Sequence, residues 1–579
     1  MRIFLSCVLF VLIFSGGANG QFLKTRGTAI VNERGDTVLL RGMGLGGWML
    51  QEGYMFRLSN LGQQYRIREK ILDVVGPEKT KEFYEKWLTN HTTRADIDSL
   101  RSWGFNSIRL PMHYDLYTLS VDDEPVKGQH TWLKKGFDLT DSLLNWCKAN
   151  KMYLILDLHA APGGQGNDLP ISDRNPAKLS LWESEENKQK TIALWRKLAE
   201  HYANEPWIGG YDIINEPNWG FEDPKDTRGI SENKNIPLRA LMVDITKAIR
   251  EVDKKHIVII EGNGFGNNYR GVLPPWDENT VISFHKYGNF NTTGAIKGFL
   301  DIRDTHNVPI WLGESGENSN TWFTEAIMLC ETNGIGWAWW QHKKMGINNP
   351  LEIKRPEGYD QLLSYWSGKG EKPGAAQSWS VLMQLLENLK TANNIYHPDV
   401  VDAMIRQVQT TSTIPFRNYS IGKDPVTVKA VDFDIGRQRY AYYDTDTARY
   451  QYTPGVNTDG NRGHMYRNDG VDIQRGIEGH YVADMQDSEW MKYTVKIMES
   501  GKYKVSFISS APKPGGSVNL EYNGKAIIKE MPLPETGDKD TWKQSAVKTI
   551  SLSKGIHVFR VEATKGGFNL AGIQFEKIK

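Results

Sequence analysis

Three cysteines in 579 residues are too few for a disulfide framework, and only Cys147 and Cys330 lie beyond the N-terminal segment. Both sit in apolar helical patterns far apart in sequence, where buried free thiols are the expectation. An excess of either charge is also missing: 70 Lys plus Arg against 69 Asp plus Glu leave a net charge of +1. Without a basic surplus there is no electrostatic footprint for nucleic acid or an acidic membrane surface. No apolar run reaches the roughly 20 residues that cross a bilayer, so no membrane span is expected. No nucleotide, redox-cofactor or catalytic-metal motif appears either, and none of these cofactors is expected. What abounds is aromatic: 19 Trp, 24 Tyr and 20 Phe supply flat apolar faces of the kind that serve as platforms for sugars.

The first 20 residues, MRIFLSCVLFVLIFSGGANG, place Arg2 before an apolar run from Ile3 to Phe14 and end in small residues. That is the pattern of an export signal, which predicts a secreted, periplasmic or cell-surface protein beginning near Gln21. Cys7 lies inside the apolar run, too far from its end to be a lipid-attachment site. Beyond the leader, short β-type runs alternate with helical patterns. The runs are Val38 to Gly47, Phe105 to Met112, Tyr153 to Gly163, Ile208 to Pro217, Ile257 to Gly264, Val281 to Gly288, Val308 to Gly316 and Ile335 to Lys343. Helical periodicity marks Leu139 to Asn150, Asn187 to Tyr202, Pro237 to Asp253 and Ala375 to Ala392. Eight strands alternating with helices predict a (β/α)8 TIM barrel over residues 21–394. A doubly wound sheet would want a phosphate turn and helix after its first strand, whereas GMGLGG runs into Trp48. From about Val426 the texture becomes short alternating runs between Gly and Pro turns, predicting an all-β sandwich of jelly-roll type over 426–579. Residues 395–425 are expected to be a short linker.

Catalytic groups of a barrel come from the C-terminal ends of its strands. Those ends offer Arg109, His159, Asn215 with Glu216, His285 with Tyr287, Glu314, and Trp339 with Trp340. Glu216 and Glu314 fall on the fourth and seventh strands, where two carboxylates can face each other across a cleft. Cleavage of a glycosidic bond needs such a pair, one protonated to assist the leaving oxygen and one ionised to meet the oxocarbenium-like centre.

The set RGMGLGGW, SIRLP, DLHAAPG, INEP, FHKYG, GESG and a tryptophan-rich eighth strand resembles glycoside hydrolase family 5 over roughly Phe22 to Ala392. The resemblance implies a retaining glycosidase with Glu216 as acid/base and Glu314 as nucleophile. It further implies Arg109 and Tyr287 contacting the nucleophile, His159 and Asn215 positioning sugar and acid with Asn215 on the 2-hydroxyl, and His285 walling the same subsite. Trp340 matches the platform beneath the sugar, with Trp339 as a substitute. The opening LRGMGLGGWMLQEGYM and the stretch HAAPGGQGND are similar to the β-1,3-glucan-cleaving branch more than to cellulases or mannanases. The alternatives are a cellulase, mannanase or xylanase of the same fold, and a noncatalytic carbohydrate-binding protein. The chain is expected to act on a polysaccharide or oligosaccharide as a monomer.

The segments VDFDIG, AYYDTD, YRNDGVDI, SEWMKYTVKI and GGFNLAGIQFEKI resemble a family 6 carbohydrate-binding module. Its structural calcium is put in doubt, because Lys429, Ala430 and Val431 stand where the family has Glu-Ala-Glu. One expected cleft ring is Asp484, and Asp538 and Lys539 follow the Thr-Gly that should precede another. Tyr481, Trp542 and Asn569 remain as candidate sugar contacts.

Overall fold

The computed structural model describes residues 21–58, 61–223, 225–456 and 458–578. The expected leader, residues 1–20, lies outside the described residues. Eight parallel strands close into a barrel in sequence order. They are β1 Arg41–Gly44, β2 Ser107–His113, β3 Tyr153–Ala160, β4 Ile208–Asp212, β5 Val258–Ile260, β6 Thr280–Lys286, β7 Ile310–Gly316 and β8 Gly336–Trp340. Around them run α1 Arg94–Trp103, α2 Lys134–Asn150, α3 Glu185–Tyr202, α4 Ile236–Val252, α5 Lys297–His306, α6 Asn320–Thr332 and α7 Ala375–Asn388.

Strand alternation sorts the side chains into layers. Along β3, Leu154, Leu156 and Leu158 join the apolar layer beneath the helices, while Ile155 points into the lumen and packs with Ile259, Val281, Trp311 and Ala338. Leu23 and Ile30, on either side of an N-terminal β-turn, belong to the same apolar plug. One step up each strand the lumen turns polar. Arg109, Asp157 and Asp212 are fully buried there, and the candidate site sits above them. Helix starts follow local chemistry: Asp96 accepts the Thr93 N–H at 2.8 Å before α1, and Ser184 accepts the Asn187 N–H at 3.1 Å before α3. Cys147 and Cys330 are buried and unpaired. Among the described residues no helix is long and apolar enough to cross a membrane.

The segment expected to be a linker is instead folded. Ile395–Tyr396 pairs with Leu351–Glu352, α8 Pro398–Met404 follows with its Ala403 carbonyl accepting from the Thr324 hydroxyl of α6 at 2.8 Å, and β9 Tyr419–Ile421 is already a strand of the second unit. A helix of 7 residues is shorter than the window in which periodicity can be read.

The second unit is a sandwich of two mainly antiparallel sheets. One contains β9, β13 Trp490–Ile497, β19 Gly555–Lys565, β15 Ser517–Tyr522 and β16 Lys525–Pro532 in that spatial order. The other contains β11 Ile473–Gly476, β12 Gly479–Met485, β20 Phe568–Lys577, β14 Gly501–Ser510 and β17 Lys543–Gln544, with β10 Val426–Lys429 on β20 and β18 Lys548–Leu552 on β14. Val495, Phe507, Val561 and Phe575 fill the space between them.

Candidate active site

The polar lumen is organised around Arg109. Its Nε and Nη2 donate to Asp212 at 3.0 and 2.9 Å, Nη2 also to Asn215 Oδ1 at 2.7 Å, and Nη1 to Glu314 at 2.9 Å. Asp157 and Glu261 complete the ring of carboxylates, each 3.3 Å from the guanidinium. Burial opposes the charged guanidinium, but Asp157, Asp212, Glu314 and Glu261 outweigh it and hold the Arg109 proton more firmly than usual. One cation cannot neutralise four carboxylates, and burial together with Glu261 pushes Asp212 well above the ordinary range.

Glu314 is held from both sides, by Arg109 on one oxygen and by the Tyr287 hydroxyl, which donates to the other at 2.7 Å. Glu216 is held differently. Its backbone lies in the left-handed region at φ 42°, a sparsely populated conformation of the kind that persists when its surroundings over-determine it. Its N–H donates to Glu261 at 2.7 Å, and its carboxylate meets His285 Nδ1 at 2.6 Å. The other ring nitrogen of His285 lies 3.1 Å from Glu261. Burial disfavours the imidazolium, yet Glu261, Glu314 and Glu216 raise its pKa well above the usual value. Burial raises the Glu216 pKa despite the opposing pull of His285. One oxygen of Glu216, one of Glu314 and a ring nitrogen of His285 lie within 4.8 Å of one another, the only such trio of metal-type ligands among the described residues.

On the β3 side, His159 Nδ1 contacts Asp157 at 2.7 Å and its Nε2 contacts the Asn215 amide at 3.3 Å. The Trp340 ring stacks on His159 at 5.2 Å and 5°, and its N–H donates to the Tyr54 hydroxyl at 2.8 Å. The glycines of RGMGLGGW make room for that ring: a Cβ on Gly44 or Gly46 would stand 2.9 or 2.8 Å from it. Trp339 is a correction. It is 1% exposed and packs against Trp322, Phe323 and Trp337, because successive strand residues point to opposite faces and only one of the pair can meet the cleft.

Arg109, His159, Asn215, Glu216, His285, Tyr287, Glu314 and Trp340 are thus brought together. Sequence reasoning missed Asp157, Asp212, Glu261 and Glu52. The signal for the first was its i, i+2 spacing to His159, which puts both on the lumen face. Glu52 is 7% exposed, lies 4.0 Å from His159, and has no hydrogen-bond donor to its carboxylate among the described residues. Burial, Glu314, Glu317 and Glu216 push its pKa well above the ordinary value.

In the sandwich, Tyr481 and Trp542 meet edge to face at 4.9 Å, and the Tyr481 hydroxyl donates to Gln474 at 3.0 Å. Asn569 is buried and its side-chain oxygen accepts the Asp484 N–H at 2.8 Å, at the β12 bulge.

A family model described as "Cellulase (glycosyl hydrolase family 5)" matches residues 72–346, and one described as "Carbohydrate binding module (family 6)" matches residues 464–577. The chain is similar to the "Beta-xylosidase" of Phanerodontia chrysosporium, 28% identical over 424 residues that make up 67% of this chain and 83% of that protein. It is also similar to "Endoglucanase C" of Acetivibrio thermocellus, 27% identical over 339 residues, 48% of this chain and 90% of the other. "Glucan 1,3-beta-glucosidase" of Blumeria graminis is 29% identical over 269 residues, 44% of this chain and 56% of the other.

Proposed function

The barrel belongs to glycosyl hydrolase family 5 and carries a family 6 carbohydrate-binding module, and from this premise we propose that the chain is a secreted, retaining hydrolase of β-glucans, with β-1,3-glucan favoured. The observation that carries the mechanism is that one carboxylate oxygen of Glu216 lies within 4.8 Å of one of Glu314, an approach that supports the shorter of the two carboxyl separations glycosidases use. Inverting glycosidases need about 6.5 to 9.5 Å between carboxyl groups to seat a water, whereas retaining ones hold about 5 to 5.5 Å. Glu314, held by Arg109 on one oxygen and by the Tyr287 hydroxyl on the other, attacks the anomeric carbon. Glu216, whose proton burial makes harder to lose, gives that proton to the leaving oxygen. In the second half-reaction Glu216 takes a proton from water, which displaces Glu314 and restores the starting configuration. His285 stabilises the ionised form of Glu216 left once the proton is given up, and Trp340 with His159 offers a flat face for the sugar.

The opening LRGMGLGGWMLQEGYM supports the β-1,3 preference. A β-xyloside substrate is the second reading, favoured by the match to a protein named for that activity across 67% of the chain. Hydrolysis of β-1,3-, β-1,4- and mixed-linked glucans and of an aryl β-xyloside, with the fresh product's anomer followed by NMR, tests both. Retained configuration on one class, lost in Glu314→Gln, supports the proposal. Inverted product overturns the mechanism, and turnover of the xyloside alone overturns the substrate. Export is tested by the N-terminal sequence of protein recovered outside the producing cell, expected at Gln21.

A further inference from the structure

Tyr287 opens the loop after β6 and Glu314 lies near the end of β7, and the loops after both strands are gripped by one stretch of the second unit. After β6 the chain turns at Gly288 (φ 48°), and after β7 at Glu317 (φ 55°). Asn318, next to Glu317, donates through Nδ2 to the Arg449 carbonyl at 2.7 Å and accepts the Arg449 N–H at 3.0 Å. The Ser319 hydroxyl donates to the Thr447 carbonyl. The Tyr452 N–H donates to the Gly288 carbonyl at 2.9 Å. Phe290 meets Tyr450 at 4.7 Å between ring centroids, and Tyr450 packs against the apolar layer of the barrel.

Two side chains of this stretch take no part in the anchoring. The Gln451 carboxamide lies over Gly288, where an added Cβ would come within 2.5 Å of it, and the positive φ of Gly288 favours glycine beside Tyr287. Tyr452 is 67% exposed, although its backbone is fixed to Gly288. A large ring left in solvent costs hydrophobic free energy unless something covers it in use. It stands two residues along a hydrogen-bonded path from Tyr287, whose hydroxyl holds Glu314 at 2.7 Å. On the reading of the barrel as a β-glycan hydrolase, we propose that Gln451 and Tyr452 form the cleft wall on the Tyr287 and Glu314 side and recognise a sugar unit flanking the one whose bond is cleaved. Tyr452 covers the apolar face of that unit, and Gln451 exchanges hydrogen bonds with its hydroxyls. Specificity for a chain over a single glycoside is then supplied by the module, not the barrel.

The test compares a tetrasaccharide of the preferred linkage with an aryl glycoside of one sugar. Tyr452→Ala is expected to raise KM for the tetrasaccharide about 3- to 10-fold, the order of one aromatic contact, with the change in KM rather than kcat. The loss in kcat/KM is several-fold greater for the tetrasaccharide than for the aryl glycoside. Tyr452→Phe, which keeps the ring, restores it, and Gln451→Ala gives a smaller change of the same kind. Equal changes on both substrates, or none, overturn the inference while wild-type turnover leaves the hydrolase reading standing. Calorimetric binding of the tetrasaccharide to Glu314→Gln, with and without Tyr452→Ala, decides the matter without turnover, and equal affinities overturn it.

Discussion

At the scale of single residues, the site works by giving two carboxylates different surroundings. Glu314 faces a cation and a hydroxyl donor, whereas Glu216 is buried and its nearest charge is an imidazolium shared with Glu261. Glu216→Gln is expected to lower kcat on an unactivated glucan by about 10^2- to 10^4-fold, the usual contribution of a general acid. An aryl glycoside with a good leaving group, which needs no proton to depart, should lose less in its first step, as burst kinetics would record. His285 stabilises the ionised form of Glu216, so His285→Gln should move the basic limb of kcat/KM to higher pH; a limb moved downward contradicts the assigned coupling. Glu52 makes a stability prediction. Its folded pKa lies above its unfolded value, so the fold favours the protonated form. Below the unfolded pKa, about 4.3, both states are protonated and nothing is lost; as pH rises above it, folding must hold a proton the unfolded chain releases. Glu52→Gln should therefore raise the unfolding midpoint at neutral pH, with a gain that shrinks to nothing near pH 4, while turnover falls if the carboxyl contacts substrate. Glu216 and Glu314 were legible because strand ends and local motifs mark them. Asp212 and Glu261 were not, since a lone acid near a strand end reads as a solvated group until neighbouring strands converge on Arg109.

At the scale of elements, alternation and periodicity carried most of the fold. Each of the eight barrel strands falls within or beside its expected run, and helix α4, read as Pro237 to Asp253, spans Ile236–Val252. Periodicity failed where elements were short: α8 is 7 residues long, and β9 has 3. The strand-to-helix seam offers a test that separates packing from chemistry. Trp195 of α3 is fully buried, meets the Tyr211 ring of β4 at a tilt with centroids 5.7 Å apart, and donates to the Ile213 carbonyl at 2.8 Å. Trp195→Ala should cost about 3–5 kcal/mol in denaturant unfolding, as large core truncations do. Because Ile213 immediately precedes the segment carrying Asn215 and Glu216, kcat should fall modestly in the surviving folded protein, with KM little changed. A loss of activity without a loss of stability would place Trp195 in the chemistry instead.

At the scale of the molecule, barrel and sandwich meet through polar side chains that no periodic pattern announces. Asn468 of the sandwich donates through its amide to the Asn318 carbonyl at 2.9 Å and to Asn320 Oδ1 at 3.0 Å, its own N–H meets Asp399 of α8 at 2.8 Å, and its carbonyl accepts the Asn320 N–H at 2.8 Å. Thr321 at the start of α6 shares a 2.8 Å hydrogen bond with Tyr442. All of these groups are buried, so separating the two units would strip several hydrogen-bonded polar groups of their partners at once. Each buried group left unsatisfied costs about 1–3 kcal/mol. Domains joined by small polar contacts usually move independently; here the shared network predicts that they do not. The chain should unfold in one calorimetric transition with equal van't Hoff and calorimetric enthalpies. Asn468→Ala, which removes two amide bonds and leaves their acceptors buried, should lower that midpoint by several degrees and begin to split it. Two resolved transitions in the wild type would show that the network does not couple the units, and a wall built by one unit on the other's active site would then lack the rigidity that recognition of a sugar chain requires.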